Sequence, residues 1–462
     1  MNLKINDVLK ATKGKLLVGN ENSEISIVKN DTKQIDKGNT FIGIKGKNVD
    51  GNLFWEQALE NGADTVIIEK LDIEKNKLEK YANKNIIQVD DTKEALKQIA
   101  IAKRNLYKDL IVIGVTGSSG KTSTKDIIAN VLSKKYKTLK TEGNHNNAIG
   151  LPLTILNLED HKVAVIEMGM NHLGEISELS KIAKPTVSVI TNVGTSHIGN
   201  LGSRENILKA KLEILEGMEK PKLIINNDND LLNKWNGENK DIDVCTFGVK
   251  NKSNYMAENI KKYEEKIEFV CKTENGKLKI NIPIGNEVFV LNALCAIAVA
   301  KMLNLSNEEI QEGINGFEAA KKRMEMVKVK NDITLINDCY NANPDSMISS
   351  IKYLSEFENR KIAVLGDMLE LGDFSEEMHK KVGREIANRK IDLLFLVGDD
   401  ANFIKQGAIE NGMEEKNIFY FNSNNELLSS LKNIIRKRDV ILFKASNAMK
   451  LFDIVESLKG GK

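Results

Sequence analysis

The sequence predicts an α/β protein built mainly on parallel sheets, and two observations carry that reading. Apolar runs such as IVIGV, KVAVIEM, TVSVITNV and KLIINN alternate with stretches of helical spacing, the pattern of strands covered on both faces. Residues 110–122, LIVIGVTGSSGKT, end a β-branched run in a glycine-rich turn closed by Lys121 and Thr122, and STKDIIANVLSKK follows with helical spacing.

The chain divides into three segments, as 462 residues suggest at roughly 150 per domain. Residues 1–107 carry short strands such as NTFIGI and ADTVIIE, then the helical stretch TKEALKQIAIAKRNLY, and read as a small N-terminal α/β domain. Residues 108–317 read as a central, doubly wound, mostly parallel sheet with its ligand site at the carboxyl ends of the strands. Residues 318–462, with TLINDCY, KIAVLGDM, LLFLVGDD and DVILFKAS ending in polar or glycine residues, read as a C-terminal Rossmann-like domain.

Composition narrows the function. Lys and Arg number 67 against 65 Asp and Glu, so a net charge of +2 makes no electrostatic case for nucleic acid or an anionic membrane. The first residues lack an apolar signal region, and the longest apolar-rich stretch, LNALCAIAVAKML, is too short to span a bilayer. A soluble, cytoplasmic protein is expected, and nothing points to an obligate oligomer. Cys245, Cys271, Cys295 and Cys339 form no C-x-x-C pair and read as small core residues.

The turn at residues 116–122 has the chemistry of a phosphate-binding loop. Gly117 and Gly120 let the backbone curl so that N–H groups face phosphate oxygens; Lys121 adds a point charge, and Thr122 offers a hydroxyl to Mg²⁺. The strict form G-x-x-x-x-G-K-[ST] asks for glycine at Val115, and the chain has Gly114 instead. Glu167 ends the strand KVAVIE, where its carboxylate either reaches a metal held by Thr122 and phosphates or caps the next turn. TVSVITNVGTSHIGNLG places Thr191, Asn192 and His197 in a loop after another strand; a lone loop histidine is more often simply exposed.

Taken in order, VTGSSGKTST, TEGNHNNAIGLPLTIL, EMGMNHLGEI and TNVGTSHIGNLGSRENILKAKLEI resemble the ATP-dependent Mur ligases of peptidoglycan precursor synthesis. NDCYNANPDSM and AVLGDMLELG are similar to the member that joins D-alanyl-D-alanine to UDP-N-acetylmuramoyl-tripeptide. The shifted glycine is also that family's form of the phosphate loop. The resemblance implies a three-domain architecture: a UDP-sugar-binding domain over 1–107, an ATP-binding domain over 108–317 and a ligase domain over 318–462. It implies a reaction in which ATP phosphorylates the tripeptide carboxylate and the dipeptide amine displaces phosphate through a tetrahedral intermediate. Within enzymes, the ligase adding the third amino acid is the neighbouring reading, but its Asp-Asn-Pro signature is absent where NANPDSM stands. Folate polyglutamate ligases usually open with the phosphate loop, whereas about 107 residues precede it here. From another class, a catalytically silent nucleotide-binding paralogue is the alternative.

Residue by residue, the resemblance implies that Thr116, Gly117, Ser118, Ser119, Gly120, Lys121 and Thr122 hold the ATP phosphates. Lys121, Glu167, His197 and Lys211 would be catalytic, with Thr122, Glu167, His197 and a carbamylated Lys211 serving Mg²⁺. Asn292 would contact adenine, and Arg323 and Asp338 would reach phosphate and ribose from the third domain. Substrate contacts would come from Thr32, Lys33, Lys45 and Gly46 near the uridine nucleotide and Asn144, Asn146 and Asn147 near the muramoyl sugar. Thr191, Tyr340, Asn341, Asn343 and Ser346 complete that set. Three departures stand out. Asp31-Thr32-Lys33 replaces the usual Asp-Ser-Arg, exchanging a bidentate fork for a point charge. The histidine often found before Asn292 is missing from residues 287–290. Lys444-Ala445-Ser446-Asn447 replaces Lys-Gly-Ser-Arg, removing a partner for the incoming dipeptide's carboxylate.

Overall fold

A computed structural model describes residues 3–70, 73–239, 241–274 and 276–460, and these build three sheets. The first has the strand order Lys15–Val18, Asn85–Val89, Thr65–Glu69, Thr40–Ile42, Val28–Lys29; only the first pair is antiparallel. One face buries Trp55 and Tyr81, whose rings meet edge-on at 5.7 Å. The helix Thr92–Asn105 starts where Asp91 accepts from Glu94 N, and it packs on both the N-terminal helix Ile5–Thr12 and the central helix Gly150–Leu156. Near its end Arg104 is 6% exposed, and its guanidinium donates to Tyr107 O at 2.6 Å and Ala183 O at 2.8 Å. A buried guanidinium met by carbonyls fixes the first sheet's helix to the second domain.

The central sheet has nine strands in the order Gly276–Ile282, Ile267–Thr273, Tyr255–Lys262, Asp243–Gly248, Lys222–Asn226, Val187–Ile190, Ile111–Thr116, Val163–Glu167, Thr138–Lys140. Six neighbouring pairs run parallel; the first two are antiparallel. That antiparallel edge extends the mostly parallel sheet expected from the sequence. In its last strand Leu278, Ile280 and Ile282 are buried while Lys277 and Lys279 are exposed, so only one face meets the core. The apolar stretch LNALCAIAVAKML lies in the helix Val288–Met302, packed between the helix Lys121–Leu132 and the sheet. Burial on all sides explains its all-round apolar character. Among the described residues no helix is long and apolar enough to cross a membrane.

The third sheet runs Glu325–Val329, Ile333–Asn337, Val440–Lys444, Lys361–Gly366, Leu393–Val397, Ile418–Phe421, parallel except for its first pair. Its helices cover both faces, as a Rossmann-like domain requires. The loops after three of these strands, carrying Asp338 and Tyr340, Leu369 and Glu370, and Ser446 and Asn447, reach the cavity that also borders the phosphate loop.

Candidate active site

The strand Ile111–Thr116 ends at Gly117, with φ of 153°, and the chain turns through Gly120, with φ of 76°, into the helix Lys121–Leu132. A Cβ on Gly117 would fall 1.9 Å from Thr191 Oγ1, so the turn admits only glycine. The helix has no side-chain cap, and Lys121, Thr122 and Ser123 line the cavity at its start. Uncapped amides at a helix N-terminus favour an anion. The turn is braced from behind: Asn192 Oδ1 accepts from Ser118 N at 3.1 Å and Ser119 N at 3.0 Å, and Thr191 Oγ1 donates to Ser119 O at 2.7 Å. Lys121 Nζ donates to Gly117 O at 2.8 Å. Burial lowers the Lys121 pKa, Glu167 opposes that, and Arg323 adds to it.

Glu167 ends the next strand with its carboxylate held on both oxygens. Thr122 Oγ1 donates to Oε2 and Asn146 Nδ2 to Oε1, each at 2.8 Å. The residue is 1% exposed, and its own N–H donates to Thr141 Oγ1 at 2.9 Å. A hydroxyl and a carboxylate converging on one cavity wall suit Mg²⁺, which takes few protein oxygens and fills its octahedron with phosphate and water. Among the described residues no group of three or more His, Cys, Asp or Glu is placed to hold a metal ion.

Lys211, on the helix Arg204–Leu212, is 1% exposed, and no carboxylate among the described residues pairs with its ammonium. Burial, and then the charge of Lys121, push its pKa well down. Burial thus works against the charged form of the amine. His197 takes φ of 62° at the start of the short helix Ile198–Leu201, and its Nδ1 lies 2.7 Å from Glu370 Oε2 of the C-terminal domain. His197 holds the Glu370 carboxyl below its ordinary range.

The C-terminal domain completes a cavity of about 660 Å³. Arg323 stacks over the Tyr340 ring at 3.8 Å. Asp338 accepts from Met324 N at 3.2 Å, Ser350 Oγ at 2.7 Å and Lys444 Nζ at 2.5 Å, so three donors already hold its carboxylate. Across the cavity, Asn292 accepts from Thr124 Oγ1 at 3.1 Å, while its Nδ2 is buried without a partner. An orphaned amide donor on the wall beside the phosphate loop fits an acceptor on a nucleotide base.

Three family models match the chain: the Mur ligase family catalytic domain over residues 24–104, the Mur ligase middle domain over 115–300, and the Mur ligase glutamate ligase domain over 322–447. The UDP-N-acetylmuramoyl-tripeptide–D-alanyl-D-alanine ligase of Bacillus subtilis (strain 168) is 40% identical over 444 residues, covering 95% of this chain and 94% of that protein. The chain belongs to the Mur ligase family. The ligase of the same name from Escherichia coli (strain K12) is 31% identical, with 94% of each chain covered. Among solved structures, MurF from Acinetobacter baumannii superposes with a TM-score of 0.89 at 30% identity, covering 100% of this chain and 99% of the other. MurF from Thermotoga maritima in complex with ADP gives 0.81 at 28% identity, covering 94% and 97%.

In this Mur ligase the cavity is lined by Ser118, Ser119, Gly120, Lys121 and Thr122 of the phosphate loop and by Asn144, Asn146, Asn147, Glu167 and His197 around it. Asn292, Arg323, Asp338, Tyr340, Asn341, Asn343 and Ser346 also line it. Thr116, Gly117, Thr191 and Lys211 do not line it; Thr116 Oγ1 donates to Met168 O at 2.9 Å, and Thr191 braces Ser119. Thr32, Lys33, Lys45 and Gly46 sit apart, on loops after two parallel strands of the N-terminal sheet. There Thr32 Oγ1 contacts Gln57 Oε1 at 3.2 Å, and the backbones of Lys45 and Asp50 pair in an isolated antiparallel bridge. Ser196, Asp345 and Glu370 are absent from the sequence-based set, and Asn192 is read there only as a loop residue, although the structure places all four in direct contact with the site. The only hint for Asp345 is its position after Asn343-Pro344, a helix start that by itself explains an acidic residue.

Proposed function

We propose that this chain is the ATP-dependent ligase that joins D-alanyl-D-alanine to UDP-N-acetylmuramoyl-tripeptide, giving the pentapeptide precursor of peptidoglycan. The observation that carries the reading is the Thr122–Glu167 contact beside an uncapped phosphate-loop helix, in a cavity whose far wall is the NANPDSM loop. Near-full-length similarity to ligases of that name, one of them solved with ADP, supports it. Residues 1–107 are assigned to the UDP-sugar, 108–317 to ATP and 318–462 to closure and the acceptor. A cytoplasmic monomer is part of the same proposal.

An amide does not form readily from a carboxylate in water, so the tripeptide carboxylate first takes the γ-phosphoryl group and thereby gains a leaving group. The dipeptide amine attacks that carbonyl, loses a proton, and phosphate departs. The chain's residues bind and orient. The helix amides and Lys121 meet the transferring phosphoryl group, and Asn292 offers its free N–H to adenine. Arg323, held flat by Tyr340, adds a cation from the third domain. Thr122, Glu167 and His197 would hold Mg²⁺, which neutralises charge developing on the phosphates. The neutral amine of Lys211 is the form that reacts with CO₂; the resulting carbamate would turn a lysine–lysine repulsion into an attraction toward Lys121.

Phosphate release from ATP, measured with UDP-N-acetylmuramoyl-tripeptide and either D-alanyl-D-alanine or single amino acids, tests the assignment. Release that depends on the dipeptide, with pentapeptide detected by mass, is expected. Release with a single amino acid would identify a different ligase, and no release a silent paralogue.

A further inference from the structure

Residues 194–199 of the central domain lie between the phosphate loop and the C-terminal domain, and both sides grip them. On the phosphate-loop side, Gly194 N donates to Ser118 Oγ at 2.9 Å and Ser196 Oγ donates to Ser118 O at 3.0 Å. On the other side, Asp345 Oδ2 accepts from Thr195 N at 2.9 Å and from Thr195 Oγ1 at 3.0 Å. Asn343 Nδ2 donates to Ser196 Oγ at 2.7 Å, and Gly199 N donates to Glu370 O at 3.3 Å. Thr195 and Ser196 are each 7% exposed. A Cβ on Gly194 would fall 2.2 Å from Asp345 Oδ2, and one on Gly199 would fall 2.7 Å from Gly372 N. Two glycines therefore let the segment sit directly against the third domain.

Asp345 is not needed to cap its own helix. Asn343 does that by accepting from Ser346 N at 2.8 Å, with Pro344 in the first turn. The carboxylate of Asp345 is instead turned across the domain boundary onto two donors of one residue. The segment it grips contains Ser196, one bond from the Ser118 carbonyl, and His197. The C-terminal domain thus reaches the phosphate loop through a hydrogen-bonded chain, Asn343 to Ser196 to Ser118, with Asp345 anchoring the adjacent residue.

We propose that Asp345 is a positioning residue for the ligase reaction, locking residues 194–199 so that closure of the C-terminal domain sets the phosphate loop and His197 in their working geometry. This rests on the ligase reading above. Charge-assisted hydrogen bonds are among the stronger ones, so removing two at a domain boundary loosens the closed state more than either domain alone. Contacts of this kind let a closing domain complete a catalytic constellation.

The test uses the full chain with ATP, Mg²⁺, UDP-N-acetylmuramoyl-tripeptide and D-alanyl-D-alanine. Asp345→Ala is expected to lower kcat about tenfold to hundredfold. Its affinity for the UDP-substrate should stay within about twofold, since that site lies on another domain. Asp345→Asn, whose carbonyl can accept from both Thr195 donors, should recover most of kcat. Thr195→Val removes only the hydroxyl donor, and in combination with Asp345→Ala it should add little further loss. Wild-type kcat in Asp345→Ala, no recovery in Asp345→Asn, or fully additive losses in the double variant would each overturn the proposal. Should Asp345→Ala not fold, an undiminished kcat in Thr195→Val would overturn it. Wild-type protein without dipeptide-dependent turnover would instead sink the ligase reading itself.

Discussion

Thr122 Oγ1 donates to Glu167 Oε2 at 2.8 Å, joining the end of the phosphate loop to the end of the strand beside it. The pair is buried, so its carboxylate charge acts at low dielectric on whatever binds next to Lys121. Glu167→Gln keeps a carbonyl for Thr122 but removes the charge. It is expected to lower kcat roughly hundredfold or more while UDP-substrate binding is retained. Lys121→Ala should likewise abolish turnover and spare UDP-substrate binding. Phosphate release across a Mg²⁺ titration, paired with calorimetry on the UDP-substrate, checks both; equal loss of activity and binding would refute this division of labour.

Lys211 links function to a stability penalty. An amine with 1% exposure and no anionic partner among the described residues disfavours its charged form, whereas the unfolded chain holds it protonated at neutral pH. Below the ordinary lysine pKa of 10.5, the unfolded state binds the proton more tightly, so this group subtracts stability throughout the neutral range. Lys211→Met should therefore be nearly inactive yet at least as heat-stable as the parent, by differential scanning calorimetry at pH 7. Lys211→Ala should regain part of its activity with added short carboxylic acids, and absence of rescue would count against a carbamate there.

What could be read from the chain alone follows the range of the interactions. LIVIGVTGSSGKT is legible because a β-branched run, two glycines and a lysine act within a few residues of one another. The strands Tyr255–Lys262, Ile267–Thr273 and Gly276–Ile282 are not, because each buries one face and interleaves lysines and glutamates with its apolar residues. Asn192 reads as a loop polar residue until the fold brings its side chain onto Ser118 and Ser119, more than seventy positions earlier in the chain. Lys211 reads as an ordinary helix lysine, and only packing removes it from water. Glu370 and His197 meet through a domain contact that no local pattern encodes.

His379 sets a pH limit on the third domain. It is fully buried, its Nε2 accepts from Met368 N at 3.0 Å, and its Nδ1 lies 2.8 Å from Ser375 O. Burial depresses its pKa below 6.5, and the hydrogen bond to the Ser375 carbonyl and then the Asp400 and Asp367 carboxylates only partly oppose that. The unfolded imidazole then takes a proton more readily than the folded one. Its contribution is intact above about pH 6.5 and declines as the pH falls below it. Denaturant midpoints at pH 7.5 and 5.5 should show this fall. His379→Ala, which leaves the Met368 N–H without its acceptor, should lose at least about 1 kcal/mol at pH 7.5 and show a flatter pH dependence.

Asn447 stands where the family resemblance implies the arginine of a Lys-Gly-Ser-Arg stretch, and it lines the cavity beside Ser446. The nearby cations are already engaged: Lys444 meets Asp338, Lys121 meets Gly117 O, and Arg323 lies on Tyr340. A dipeptide carboxylate arriving here would find an amide donor where the resemblance implies a guanidinium. Asn447→Arg should therefore lower KM for D-alanyl-D-alanine about tenfold, the scale of one charge-assisted hydrogen bond, with little change in KM for ATP. Steady-state kinetics with D-alanyl-D-alanine and its carboxyl-amidated analogue separate the causes. A gain confined to the free carboxylate assigns position 447 to the acceptor's terminus; an equal gain with both forms would mean that the new side chain acts through packing or closure instead.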